Sequence, residues 1–182
     1  MKKSFLLFAL ICVFAGLATG QTKDPMVGGH EMFPSKNIVE NAVNSDDHTT
    51  LVSAVKAAGL VDTLEGAGPF TVFAPTNEAF NKLPVDAVTN LLKAENKPLL
   101  TKVLTYHVVA GKLSTDDLKR QIKAGHGTAS LTTVQGGTLW ATMQKNHIVL
   151  KDEKGNTAEV TISDVFQSNG VIHVVNSVLM PN

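Results

Sequence analysis

TVFAPTNEAF, residues 71–80, joins a short apolar strand to the beginning of a helix. A short apolar strand is predicted over residues 70–74, in which Thr71 is the one polar residue. Thr76 is a residue type that caps helices, and Pro75 and Phe80 stand where a hydrophobic pair fixes the angle at which the chain enters a helix. This first segment therefore predicts a buried strand that leads directly into a helix.

A second apolar segment, NGVIHVVNSVLMP, occupies residues 169–181. Asn-Gly pairs favour tight hairpins, so Asn169-Gly170 is predicted to turn the chain into its last strand. His173 shares a face of that strand with two valines and is expected to be a buried, neutral, hydrogen-bonded imidazole. The residues of the two segments that we expect to be structural are Thr71, Phe73, Pro75, Thr76, Asn77, Phe80, Asn169, Gly170, His173 and Asn176.

Tyr106 and His107 lie between the two segments, at the end of an apolar helical pattern. Tyrosine has an apolar ring and a polar hydroxyl, so it suits either a buried position with a bonded hydroxyl or an interface. The apolar neighbours Leu104, Val108 and Val109 favour burial. Two interpretations stay open: the pair packs beneath the helices, or it contacts a binding partner.

Helical patterns precede strand patterns along the chain. Asn37, Ser45 and Ser114 are predicted to begin helices, and Gly59 is predicted to end one in the left-handed conformation. Apolar and polar residues alternate over residues 138–143, which is typical of a half-buried strand. Helices collected before strands predict an α+β domain rather than a repeating βαβ fold.

The beginning of the chain reads as two segments that precede this domain. Two lysines, an apolar run and small residues before Gln21 are typical of a cleaved signal peptide over residues 1–20. The apolar run is shorter than the ~20 residues that a membrane span needs. Residues 21–36 are predicted to be a flexible tether, and residues 37–182 a single domain. We therefore expect a secreted protein, located in the periplasm, at the cell surface or outside the cell.

Cysteine and arginine usage narrows the possible partners. Cys12 is the only cysteine and lies in the predicted signal peptide, so the mature chain would have no disulfide and no thiolate site. Removing Lys2 and Lys3 from the 16 basic residues leaves 14 against 16 acidic ones, and Arg120 is the only arginine. Since arginine is the preferred contact for phosphates and base edges, nucleic acid is not expected as a partner.

Six histidines raise the question of a metal or catalytic site. The sequence has no HExxH or other compact ligand spacing, no GxSxG nucleophile turn and no phosphate-binding glycine loop in the right context, so no metal or cofactor is expected. Asp164, His173 and Ser177 are close in sequence, but a triad is defined by its geometry in space. A secreted hydrolase with a histidine-centred site stays as an alternative to a non-catalytic protein.

The two segments, with Tyr106-His107 between them and helical patterns before them, resemble the fasciclin domain family. The resemblance covers roughly residues 37–182, the length of one domain, and is to the small secreted single-domain members found in bacteria. It implies an α+β fold, a wedge-shaped β-sandwich of about seven strands with several helices packed on one side. It also implies adhesion to, or recognition of, a cell-surface or extracellular-matrix component, either protein or glycan.

Asn77 and Asn176 stand where this family often has aspartate. Asparagine keeps a capping or turn hydrogen bond but loses the charge, so the departure puts in doubt only a charge-dependent or cation-dependent contact there. No Arg-Gly-Asp tripeptide occurs. The expected function is a non-catalytic adhesion or recognition module, with a self-associating surface protein as a further alternative, and the oligomeric state stays open.

Overall fold

A computed structural model describes residues 24–182, and the predicted signal peptide lies outside them. The part of the expected tether that the structure describes packs against the domain. It contains a short hairpin of β1 (Met26–Val27) and β2 (His30–Glu31). Val27 and Met32 are buried in the core, and Asp46 N–H donates to the carbonyl of Gly28. Two apolar side chains thus anchor a segment whose glycines and prolines suggested only a linker.

The helices begin and end close to where local sequence signals place them. Asn37 and Ser114 each form a capping box, and Gly59 ends a helix with a φ of 73°. Ser45 begins a 3-10 turn, Asp46–His48, rather than an α-helix, because its hydroxyl bonds Nδ1 of His48 instead of a helical N–H. The α-helices of the described residues are α1 (Ile38–Ala42), α2 (Thr49–Ala58), α3 (Val61–Glu65), α4 (Asn77–Asn81), α5 (Val85–Leu91), α6 (Lys97–Tyr106) and α7 (Thr115–Ala124).

Seven further strands form one sheet: β3 (Phe70–Pro75), β4 (Val108–Ala110), β5 (Thr128–Thr132), β6 (Thr138–Gln144), β7 (His147–Lys151), β8 (Thr157–Gln167) and β9 (Gly170–Val175). Their order is β4-β3-β9-β8-β7-β6-β5. Val109 of β4 also bridges to Thr133, just beyond β5, so the two edges of the sheet nearly meet. This confirms the predicted α+β fold of seven strands with a layer of helices.

The first and second segments become two neighbouring interior strands, β3 and β9, which pair in parallel. Val72 and Ala74 belong to the core beneath the helices, whereas Phe73 belongs to a second core enclosed by the sheet and α7. Strands buried on both faces are mostly apolar, and the polar residues within these two, Thr71 and His173, are buried and hydrogen-bonded. Phe73 lies opposite His173, and their rings stack with centroids 5.6 Å apart.

The turn before β9 differs from the sequence prediction by one residue. Ser168 and Asn169 make the connection, and Gly170 is already paired with Gln167 as the first residue of β9. A Cβ at position 170 would overlap the carbonyl oxygen of Phe70 on β3. Glycine is therefore required here for the close approach of two strands, a tertiary reason that the Asn-Gly pair does not reveal.

Candidate functional site

Tyr106, one of the two residues considered for partner binding, is fully buried at the end of α6. Its hydroxyl donates to the carbonyl of Thr138 at 2.7 Å and accepts from Glu153 N–H at 3.2 Å. Burial raises the pKa of the Tyr106 hydroxyl to about 12. The side chain therefore ties α6 to β6 and to the turn after β7, and it has no surface to offer a partner.

His107 is equally enclosed, with 3% of its surface exposed. Its Nδ1–H donates to the carbonyl of Val103 at 2.8 Å, and its Nε2 accepts from Leu179 N–H at 3.0 Å. These two bonds require the neutral ring and fasten the end of the second segment to α6. The burial of both side chains thus supports packing, the first of the two interpretations, and gives no support to direct contact with a partner.

Acid is expected to weaken this fold through His107. Burial lowers the pKa of its imidazole from 6.5 to about 4. Below pH 6.5 the unfolded chain takes up a proton that the folded chain refuses, so stability present above that pH is lost as the pH falls towards 4. The loss from His107 alone is about 3 kcal/mol. Urea unfolding at several pH values measures it.

His48 and His173 are also expected to destabilise the fold in acid, because burial lowers the pKa of each imidazole. A His107→Gln variant isolates the contribution of residue 107, since glutamine does not titrate, and its stability should depend less steeply on pH. Equal pH dependence in the variant and the wild type would contradict the assignment to His107.

His173 is buried on β9, and both of its ring nitrogens are engaged by backbone groups. Nε2–H donates to the carbonyl of Leu113 at 2.8 Å, and Nδ1 accepts from the N–H of Asp164 at 3.3 Å. The carboxylate of Asp164 instead accepts from Thr115 N–H, and the hydroxyl of Ser177 lies against Asn176. Asp164, His173 and Ser177 therefore do not form a catalytic triad.

The remaining polar residues of the two segments hold the scaffold together. Thr71 donates to the carbonyl of Gly111 and accepts from Leu113 N–H, which fixes the loop after β4. Thr76 caps α4 by accepting from Ala79 N–H. Through these bonds the side-chain oxygens of Thr71 and Thr76 satisfy partly buried backbone groups.

The asparagines of the two segments bond more distant backbone than their sequence positions indicate. Asn77 accepts from Thr50 N–H at 2.9 Å and donates to the carbonyl of Asp46, so it caps α2 rather than its own helix. Asn176 accepts from Glu159 N–H at 2.9 Å and thereby joins the end of β9 to β8. Pro75 and Phe80 lie at the end of β3 and in α4, where Phe80 is buried.

An open cleft lies elsewhere, on the outer face of strands β5 to β8 and the turn that joins β7 to β8. Its volume is about 680 Å³, within the usual range of ligand sites. Trp140 is partly exposed there and lies between Ser130 and Lys151 on the neighbouring strands. The residues that line this Trp140 cleft are Thr128, Trp140, Thr142, Gln144, Val149, Lys151, Asp152, Glu153, Lys154, Gly155 and Thr157.

Several polar groups of the Trp140 cleft are free to bind a ligand. Within residues 24–182, the indole N–H of Trp140, the hydroxyls of Thr128 and Thr157, and the amide of Gln144 make no intramolecular hydrogen bond. In the two apolar segments, by contrast, the side chains of Thr71, Asn77, Asn169 and His173 are already bonded. The cleft is thus the place where a rigid sheet presents an aromatic ring together with unused donors and acceptors.

Two acidic residues at the edge of the Trp140 cleft already accept hydrogen bonds from backbone N–H groups. Asp152 accepts from the N–H groups of Lys154, Asn156 and Met180. Glu153 accepts from Thr138 N–H and from Asn182 N–H, and these backbone hydrogen bonds lower the pKa of its carboxyl. Both carboxylates therefore order the rim of the cleft.

A smaller cavity of about 70 Å³ lies between the helical layer and β3. Its wall is apolar, formed by residues such as Ile38, Leu51, Val55 and Ile172. A ligand site usually adds a few convergent polar groups to apolar walls, and the Trp140 cleft has them whereas this cavity does not. The cleft is therefore the better candidate site.

Sequence reasoning placed Trp140 on the polar side of an alternating strand but did not select it. The available signal was that Trp140 is the only tryptophan of the chain and alternates with the inward-facing Leu139 and Ala141, on the same strand face as Thr138 and Thr142.

No cluster of three or more potential metal ligands occurs within residues 24–182. In the same residues no helix has both the length and the apolar character required to cross a membrane.

A seven-stranded sheet covered by helices, with most polar side chains of its two apolar segments hydrogen-bonded within the domain, describes an α+β scaffold domain. The chain belongs to the fasciclin domain family, whose model matches residues 46–181. A solved pair of FAS1 domains from the insect cell adhesion molecule Fasciclin I superposes with a TM-score of 0.71. That match covers 81% of this chain and 51% of the other, and at 19% identity it shows the fold alone.

Relatives from bacteria and animals share clear sequence similarity with the chain. Protein sll1483 of Synechocystis is 44% identical over 144 residues, 79% of this chain and 73% of that protein. Immunogenic protein MPB70 of Mycobacterium bovis is 37% identical, covering 77% and 66%. The pig transforming growth factor-beta-induced protein ig-h3 is 32% identical over 81% of this chain, which spans only 20% of that longer protein.

Proposed function

We propose that this protein is a non-catalytic recognition module that acts outside the cell, and that it contacts a cell-surface or extracellular-matrix component through the Trp140 cleft. Family membership and the likeness to a domain pair from a cell adhesion molecule support the adhesion role. The predicted signal peptide over residues 1–20 supports the location.

One observation carries the choice of surface. Thr71, Asn169 and His173 of the two apolar segments are buried and hydrogen-bonded, and the side-chain oxygens of the partly buried Thr76, Asn77 and Asn176 are bonded as well. The Trp140 cleft, by contrast, presents a partly exposed aromatic ring on a framework of four hydrogen-bonded strands. Binding energy at interfaces is concentrated in a few residues, among which tryptophan is enriched. A rigid platform also loses little conformational entropy when a partner binds.

A Trp140→Ala variant is expected to lose about tenfold or more in affinity for its partner, because the ring is the main apolar contact of the cleft. The assay measures retention of the purified protein on immobilised bacterial envelope and extracellular-matrix preparations. Circular dichroism and thermal unfolding establish that the variant is folded.

Phe166→Ala is the matched control. Phe166 is another partly exposed aromatic on β8, but it lies beneath the ammonium of Lys112 and outside the Trp140 cleft. This variant should be retained like the wild type. If folded Trp140→Ala were retained as strongly as Phe166→Ala, the contact surface would have to lie elsewhere on the domain.

A further inference from the structure

The rows of side chains across the Trp140 cleft are regular. Ser130, Trp140, Lys151 and Thr157 stand opposite one another on β5, β6, β7 and β8. The next row along the strands contains Thr128, Thr142, Val149 and Glu159. Four strands spaced ~4.8 Å apart give a face about 14 Å across. Such a face matches an extended ligand better than a single small molecule.

The charges around this face balance. Lys151 and Lys154 line the cleft together with Asp152 and Glu153. A further carboxylate, that of Glu159, lies 3.2 Å from Nδ1 of His147 at the border of the face. The two ammonium groups are matched by at least as many carboxylates, so the cleft has no excess of positive charge that would attract an anionic polymer.

We propose that the Trp140 cleft binds an uncharged oligosaccharide, with a pyranose ring stacked on the indole of Trp140. The proposal names the ligand class for the surface assigned above and therefore rests on the proposed function. The C–H face of a sugar ring is apolar and flat, which suits an aromatic side chain that keeps a polar N–H at its edge. Sugar hydroxyls are both donors and acceptors, as are the hydroxyls of Thr128 and Thr157 and the amide of Gln144.

The composition of the cleft argues against a protein as the ligand. The fully buried centre of a protein interface is enriched in apolar and aromatic residues. Around Trp140 the only aliphatic side chain lining the cleft is Val149, and the rest are hydroxyl, amide and charged groups, or glycine. A protein partner would therefore leave many polar groups poorly paired, whereas the hydroxyls of a glycan supply partners for them.

The sole tryptophan of the chain makes the test specific to this site. The purified protein is titrated with neutral oligosaccharides of β-linked glucose, N-acetylglucosamine and mannose, and with heparin fragments as the anionic comparison. We expect a saturable change in tryptophan fluorescence with at least one neutral oligosaccharide. Its affinity should change less than about twofold between low salt and about 0.5 M NaCl, since no ion pairs are formed with the ligand.

Calorimetry with three variants completes the test. Trp140→Ala should abolish the measured binding, Thr157→Val should weaken it severalfold while preserving the strand, and Phe166→Ala should leave it unchanged. Salt-sensitive binding of heparin alone would overturn the neutral ligand, and neutral binding that survives Trp140→Ala would overturn the site. If no oligosaccharide binds while Trp140→Ala still loses retention on the envelope or matrix preparations, the glycan proposal fails and the proposed function stands. If no oligosaccharide binds and Trp140→Ala is retained as strongly as the wild type, both the glycan proposal and the proposed contact surface are rejected.

Discussion

Replacing Phe73 by alanine is expected to lower the free energy of unfolding by ~3–5 kcal/mol, because a buried aromatic ring is lost and a cavity remains. Phe73 has no exposed surface. It stacks on His173 of the neighbouring strand, and both β3 and β9 are interior strands with a paired strand on either side. Since neighbouring strands on both sides restrict collapse, little of the cavity can be refilled. Equilibrium unfolding in urea measures the loss.

Phe166→Ala serves again as the reference, because Phe166 is 38% exposed and its removal opens no cavity in either core. We expect that variant to stay within about 1 kcal/mol of the wild type. A loss of less than about 1 kcal/mol for Phe73→Ala would mean that Phe73 is not part of the core and that the first segment has been misread.

The second large effect is expected at Asn169, where aspartate should cost ~3 kcal/mol or more although it has nearly the same shape. The side-chain oxygen of Asn169 accepts from Ile38 N–H at 3.0 Å, at the beginning of α1. Its amide nitrogen donates to the carbonyls of Leu64 at 2.7 Å and Gly66 at 2.9 Å. Aspartate keeps the acceptor but turns an ionised oxygen towards two carbonyl oxygens in a buried position.

Asn176→Asp is the matched control for this prediction. Asn176 uses its side-chain oxygen as an acceptor from Glu159 N–H, a role that a carboxylate also fulfils. Its stability in urea should therefore change by less than about 1 kcal/mol. Equal losses at positions 169 and 176 would show that the two donated bonds of Asn169 contribute nothing beyond the bond that it accepts.

Local signals predicted much of this fold correctly because their physical causes act over a few residues. The capping boxes of Asn37 with Glu40 and of Ser114 with Asp117 each join residues three apart. The stop at Gly59 needs only a residue that tolerates a positive φ. Alternation along β6 correctly separated Leu139 and Ala141, which are buried, from their polar neighbours.

The sequence was a poorer guide wherever a residue acts on distant backbone. Asn169 bonds residues 131 and 105 positions away, and Asn77 caps a helix that begins 28 positions earlier. The sequence did not decide whether Tyr106 and His107 are buried or contact a partner, because an amphipathic side chain suits either position. Their burial follows from Thr138, Glu153 and Leu179, which reach them only through the fold.

The chain's own order of residues thus determined its helices, its strands and the family that the two apolar segments mark, since periodicity, caps and glycines act locally. Only the tertiary structure decided that those segments pair as parallel strands and that most of their polar side chains are hydrogen-bonded within the domain. It alone also brought four strands side by side so that Trp140, Lys151 and Thr157 share one open face. The physical reason is that strand pairing joins residues far apart in sequence, and no local pattern encodes which face of a sheet remains uncovered.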